Sequence, residues 1–362
     1  MNTASFETLF SLPDLWSRLG TQTRDIWLYG MGNGADKILA VLTEKGITVK
    51  GVFASDGFVR GQVFHGMPVR SFSEVCALYG ENECVVLLSF GTARPDVLSL
   101  IDKVAERYPL YVPDVPVCGS TLFDGDFLVA HKEDFAAARA CLDESSRTLF
   151  DAVLACKLTG EYRRLRAAVS DTALERAVLC PETVRGFADF GAYNGDTARE
   201  MLALAPLSLI VAVEPDKRNF KKLAAWAETA TDTRVVCHHA AVLDKNGTAA
   251  FDASGNRNAG LATGRADEAH AVPTVTADTV LENEEIDYIK YDVEGAEYKA
   301  LLGTKETITR CRPRLKVACY HRSEDLFALP LLLRDLAPRY RLFLIRRDGV
   351  PAWDLDILAL PE

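Results

Sequence analysis

The chain has 362 residues, 48% of them apolar and 25% charged, with a formal net charge of −10. That length admits two domains with proper cores, and the acidic balance argues against a nucleic-acid backbone as the main partner, because phosphate binding needs a concentrated basic surface. The nine cysteines show no C-x-x-C spacing and no apolar run is long enough to span a bilayer, so neither a zinc cage, a disulfide framework nor a membrane span is expected.

The opening M-N-T-A-S-F-E has no basic n-region and no long apolar h-region, which together with reduced thiols fits a cytoplasmic protein. Residues 5–20 predict one short amphipathic helix. Ile26–Tyr29 reads as a strand leading into G-M-G-N-G-A, where Gly30, Gly32 and Ala35 match G-x-G-x-x-A. A helix over Asp36–Lys45 and a strand over Val49–Ala54 follow, and Asp56 stands near the place where an acid would hold a ribose. Next come a strand at Cys84–Ser89, a turn at Gly91, a helix over Pro95–Tyr108 and a strand at Leu110–Val112. Residues 1–115 therefore predict a parallel-sheet, Rossmann-like α/β domain. Gly30, Gly32 and Asp56 are its candidate site for a nucleotide or nucleotide-sugar, and a fold kept only for packing or assembly is the alternative. G-M-G-N-G-A, G-V-F-A-S-D and H-G-M-P-V resemble the N-terminal domain of the acyltransferases that modify nucleotide-linked sugars, in which such a domain holds the nucleotide.

Residues 116–180 change character. After P-D-V-P-V-C-G-S the apolar residues Leu149, Val153 and Cys156, and then Tyr162, Leu165 and Val169, recur at spacings of three and four, which predicts a mainly helical connector packed on one or both domains.

Residues 181–362 alternate β and α, with strands expected at 184–190, 207–213, 234–238, 286–291 and 315–320 and an antiparallel pair at Tyr340–Ile345 and Leu355–Leu360. In F-A-D-F-G-A-Y-N-G-D-T, Gly191 and Gly195 let the backbone turn sharply and approach a ligand, with Asp196 as N-cap of the next helix. Bulky Tyr193 stands where a dinucleotide loop needs its second glycine, so an adenosine without phosphates fits better than a pyrophosphate. That points to S-adenosylmethionine, its amino-acid end against the Gly191–Gly195 loop and its ribose against Glu214, which ends the next strand. An ordinary βαβ turn with an accidental acid is the competing interpretation of this stretch alone.

Every expected strand of this half ends in something polar: Asp189 to Asn194, Glu214, His239, then Asp292 with Glu294, and His321. Ligands of open α/β sheets bind beyond those ends. The cofactor-binding candidates are Asp189, Gly191, Ala192, Tyr193, Asn194, Gly195, Glu214, His239, Ala240 and Asp292. Lys290, two residues before Asp292 in a strand otherwise apolar, calls for a carboxylate partner.

D-F-G-A-Y-N-G-D-T, A-V-E-P-D, I-D-Y-I-K-Y-D-V-E-G-A-E and A-C-Y-H-R-S-E-D together resemble the FkbM family of S-adenosylmethionine-dependent methyltransferases over residues 180–362. The resemblance implies a class I methyltransferase sheet with an antiparallel last strand, and methyl transfer to an oxygen, often on a sugar or a polyketide. It leaves the first domain unexplained.

A sugar hydroxyl is a poor acid, so a base helps the transfer. His321, with an unperturbed pKa near ~6.5, is the candidate base. Asp292 would orient the substrate, the methionine amino group or a metal, with Glu294 beside it, and no metal is assigned. An O-methyltransferase acting on a sugar or glycan precursor is the leading expectation. Two alternatives stand beside it: a nicotinamide-dependent oxidoreductase using Gly30, Gly32 and Asp56, which lacks a Tyr-x-x-x-Lys constellation, and a binding module without chemistry.

Overall fold

The computed structural model describes residues 5–250 and 271–362, and the first four residues of the opening segment lie outside it. The first sheet contains β1 (Asp25–Tyr29), β2 (Gly51–Ala54), β3 (Val63–Phe64), β4 (Met67–Ser71), β5 (Cys84–Leu88) and β6 (Leu110–Tyr111), in the order β3-β4-β2-β1-β5-β6. All pairings are parallel except β3 with β4. That hairpin is absent from the sequence-based expectation. It turns at His65 and Gly66, both at positive φ (47° and 78°), which matches the mirror-image turn that two-residue hairpins favour. The central strands β1 and β5 are apolar on both faces because helices cover both, as parallel sheets require.

The single helix expected over residues 5–20 is two, Phe6–Leu9 and Leu15–Gly20. Pro13 biases the residue before it away from helix, and Asp14 then caps the second helix by accepting from the Ser17 N–H. The break sends the two pieces to different cores: Leu9 packs into that of the second sheet, and Leu15, Trp16 and Leu19 into that of the first.

Five helices follow: Gly125–Ala130, Lys132–Cys141, Glu144–Thr159, Tyr162–Ala167 and Thr172–Leu179. The longest ends at Gly160 in the left-handed conformation that glycine favours at this position. Its Phe150, Val153, Leu154 and Leu158 enter the second core, whereas Cys156 joins Tyr162 and Leu165 in the first. One helix thus seals both cores.

The second sheet contains β7 (Gly186–Phe190), β8 (Leu209–Val213) and β9 (Arg234–His238). After a small three-stranded sheet of β10 (Ala241–Val242), β11 (Gly247–Ala250) and β12 (Ala271–Val275) come β13 (Tyr288–Tyr291), β14 (Arg314–Ala318), β15 (Tyr340–Arg346) and β16 (Leu355–Pro361). The order is β15-β16-β14-β13-β7-β8-β9, with β16 antiparallel to both its neighbours and the rest parallel. This is the class I methyltransferase sheet. No helix of the described residues is long and apolar enough to cross a membrane.

Candidate active site

β7 delivers the chain to Gly191, whose φ is +79° and where a Cβ would lie 1.8 Å from the Asp292 carbonyl oxygen. Only glycine lets the turns after β7 and β13 pass this closely. The N–H groups of Gly191 and Ala192 both donate to the Val213 carbonyl (3.0 and 3.1 Å), holding the turn against the end of β8. Gly195 (φ +83°) makes room for Trp226, and it is the N-cap of helix Asp196–Leu204. Asp196, expected as the cap, is instead the first helical residue.

Glu214 is 6% exposed at the end of β8. The Tyr193 N–H donates to its Oε2 and the Asp216 N–H to its Oε1, both at 2.8 Å. Burial outweighs those two bonds and pushes the carboxyl up to about 7. Asp189 is fully buried and pushed up to about 6 by that burial. Lys290 Nζ stands 3.2 Å from Asp189 Oδ1 and 3.6 Å from Asp292 Oδ2, which supplies the carboxylate partners that a lysine in this strand requires.

A cavity of about 340 Å³ opens beyond these strand ends. Of the expected residues Gly191, Tyr193, Glu214, Ala240, Asp292 and His321 line it, whereas Asp189, Ala192, Asn194, Gly195 and His239 are not part of its wall. The His239 ring stacks on Phe220 (4.9 Å), and its Nε2–H donates to the Pro215 carbonyl at 3.0 Å. Asn194 accepts from Arg199 through both its side-chain and backbone oxygens.

His321 has no exposed surface. Its Nδ1 is 2.9 Å from Glu297 Oε1, and its Nε2 is 3.6 Å from Asp292 Oδ1 and 3.5 Å from Glu294 Oε2. The distances are short, yet neither ring nitrogen has a well-directed hydrogen bond. Burial alone would lower its pKa, but Glu297, Asp292 and Glu294 outweigh burial and raise it to about 10. The expected neutral base with a value near ~6.5 is therefore corrected: the three carboxylates around the ring favour a positive charge at this position. For Asp292 burial opposes ionisation, but Lys290 and His321 prevail and hold it below the usual carboxylate range.

Several wall residues escaped the sequence. Val117 arrives from the segment after β6, and Trp353 and Asp354 from the β15–β16 connection. The first sheet braces both. Lys37 Nζ donates to the carbonyls of Pro116 and Val117 (3.0 and 2.7 Å), and Thr92 and Val350 exchange two backbone hydrogen bonds. A second cavity of about 380 Å³ shares Asp196, Thr197, Lys290, Asp292, Tyr320 and Asp354 with the first, and continues past Lys316, Arg347 and Asp356.

The glycine loop of the first sheet is differently employed. A Cβ at Gly30 would be 2.4 Å from the Phe90 ring, and both Asp56 oxygens are taken, Oδ1 by the Ser73 N–H (2.9 Å) and Oδ2 by its hydroxyl (2.6 Å). Gly32 is open, with nothing within 4 Å of a Cβ placed there. The loop thus packs under Phe90 and Asp56 is tied to Ser73 in the first turn of helix Phe72–Leu78, contacts that give the expected nucleotide assignment to Gly30, Gly32 and Asp56 no support.

Residues 189–344 match the Methyltransferase FkbM domain. This segment is similar to FkbM methyltransferase domains. The crystal structure of methyltransferase FkbM from Methylobacillus flagellatus KT is similar with a TM-score of 0.69 at 17% identity, covering 93% of this chain and 90% of that one. The shared fold therefore extends beyond the FkbM domain to the first sheet. Weaker similarities reach precorrin-6y C5,15-methyltransferase from Geobacter metallireducens GS-15 (TM-score 0.34, 11% identity, 54% of this chain and 90% of that one) and SMU.1697c from Streptococcus mutans in complex with SAH (0.33, 13%, 52% and 97%). No curated protein matches the chain.

Proposed function

We propose that the chain moves the methyl group of S-adenosylmethionine to a hydroxyl oxygen of a sugar or glycan precursor. The observation that carries this is Glu214: a buried carboxylate fixed by two backbone N–H groups on the wall of the cavity, beside the Gly191–Tyr193 turn. Each of its oxygens keeps a lone pair for a ribose hydroxyl. The methionine end of the cofactor then meets the turn at Gly191, and Ala240, Asp216 and Asn219 flank the base.

The second cavity supports a polyhydroxylated acceptor. Lys316 lies there between Glu175 (2.7 Å) and Asp356 (3.2 Å), and Arg347 also reaches Glu175. These paired charges offer many donors and acceptors without an unpaired field that would select an anion. As the acceptor oxygen bonds to the methyl carbon, the sulfur–methyl bond breaks, the sulfonium becomes a neutral thioether, and the hydroxyl proton passes to the carboxylates beside His321. Alignment supplies the larger share of the rate. The nine free thiols support a reducing compartment such as the cytoplasm.

The test is to incubate the protein with methyl-labelled S-adenosylmethionine and panels of saccharides and of amines. Label in a base-stable methyl ether of a saccharide is expected. Transfer confined to amines, or to base-labile esters, would contradict the oxygen and sugar assignments.

A further inference from the structure

We propose that Asp292, Glu297 and His321 hold a divalent metal ion at the acceptor end of the cavity. One donor atom from each residue lies within 4.8 Å of the others, close to the span of about 4.4 Å that two bonds of about 2.2 Å give, so small side-chain shifts would bring all three onto one ion. Glu297 and His321 have no exposed surface, and Glu297 Oε2 and both ring nitrogens of His321 lack hydrogen-bond partners. Buried polar atoms are ordinarily satisfied, and an ion would satisfy Glu297 Oε2 together with one of the two ring nitrogens.

The loop is shaped around this point. Glu297 Oε1 accepts from the N–H groups of Val293 (2.9 Å) and Gly295 (3.4 Å), which turns Oε2 to the ion. Glu294 (φ +53°) and Gly295 (φ +85°) both adopt the left-handed conformation that wraps the chain about Glu297. The Cys118 thiol donates to the Glu294 carbonyl at 3.0 Å, pinning the wrap from a distant segment. The charges facing the cluster favour a cation as well. Asp292, Glu294, Glu297 and Asp325 converge there, while Lys290 is shared with Asp189 and Arg322 is turned to the Gly295 carbonyl.

Two carboxylates and an imidazole suit manganese or a similar divalent ion, since carboxylates select the harder metals and imidazole the later ones. Asp292 and His321 line the cavity, so positions of the ion not taken by protein would face the acceptor. A hydroxyl bound there loses its proton more easily. That role rests on the methyl-transfer proposal; the binding of the ion does not.

The probe is manganese itself, titrated into chelator-stripped full-length protein and followed by the electron paramagnetic resonance of the free ion. One saturable site per chain is expected, weakened at least about tenfold in Asp292→Asn, Glu297→Gln and His321→Ala. Asp292→Asn, at a residue open to the cavity, serves as the variant that should retain its melting curve. No saturable binding at millimolar manganese would overturn the proposal and leave a proton on His321 as the balancing charge. A site that survives all three substitutions would overturn the assignment. S-adenosylmethionine titrated into the same stripped protein separates a missing metal from a missing cofactor site, because only the latter abolishes its binding.

Discussion

His321→Ala is expected to lower the single-turnover rate at saturating cofactor by about a hundredfold or more while leaving S-adenosylmethionine affinity within about threefold. The two effects separate because His321 follows β14 and Glu214 follows β8, three strand spacings apart across β7 and β13, or about 14 Å. Loss of the imidazole takes away the group that Asp292, Glu294 and Glu297 surround, whether it carries a proton or an ion, and the acceptor then faces uncompensated negative charge. Stability will fall as well, since Glu297 is left buried and unpaired. The double variant His321→Ala/Glu297→Gln removes that buried charge. It should regain much of the lost melting temperature and none of the turnover. Recovery of both would assign His321 a purely structural role.

Gly191→Ala is expected to destabilise the fold by at least about 3 kcal/mol, which for a domain of this size lowers the melting temperature by about 6–12 °C. The new Cβ would meet backbone, 1.8 Å from the Asp292 carbonyl oxygen at a φ of +79°, so no side chain can move aside. β7 and β13 are paired up to Phe190 and Tyr291, immediately before this contact, and relief requires opening the centre of the sheet. Gly32→Ala is the control. Its φ is also positive (+114°) but nothing lies within 4 Å, so only conformational strain of about 1–3 kcal/mol remains, without a clash added to it. Thermal melts that show equal shifts for the two variants would contradict the clash.

The central strands of the second sheet were legible because both of their faces are buried, which leaves short apolar runs bounded by polar ends. β7, β8, β13 and β14 lie within the expected ranges or a residue of them, and the antiparallel pair was visible from two apolar runs around Asp348 and Gly349. The small sheet of β10, β11 and β12 was not legible, its strands being short and half-polar. Within the site, Glu214 and Asp292 could be read from their place after a strand. The surroundings of His321 could not, because Glu297 opens the helix after the β13 loop, distant in sequence from His321, and Cys118 comes from far back in the chain. A motif gives residue types in order, but a pKa depends on which charges meet through space, and here three acids converge on one ring. Asp56 shows the converse: its position after β2 suits a ribose, yet each of its oxygens accepts a bond from Ser73, and nothing local in the sequence announces those bonds.

The central claim, that Glu214 holds the ribose of S-adenosylmethionine in this cavity, is tested most directly by calorimetric titration of that cofactor into the wild type and Glu214→Ala at pH 6 and pH 8. A carboxylate bonded to both ribose hydroxyls contributes about 1.5–3 kcal/mol, so the variant should bind at least about tenfold more weakly at pH 8. Burial raises the carboxyl of the free protein to about 7, and the ionised form is the better acceptor. Wild-type affinity should therefore rise about tenfold from pH 6 to pH 8 as the competent fraction grows, and the variant should lose that rise. Equal affinity of wild type and variant at pH 8, with unchanged melting curves, would remove Glu214 from the site and contradict the account.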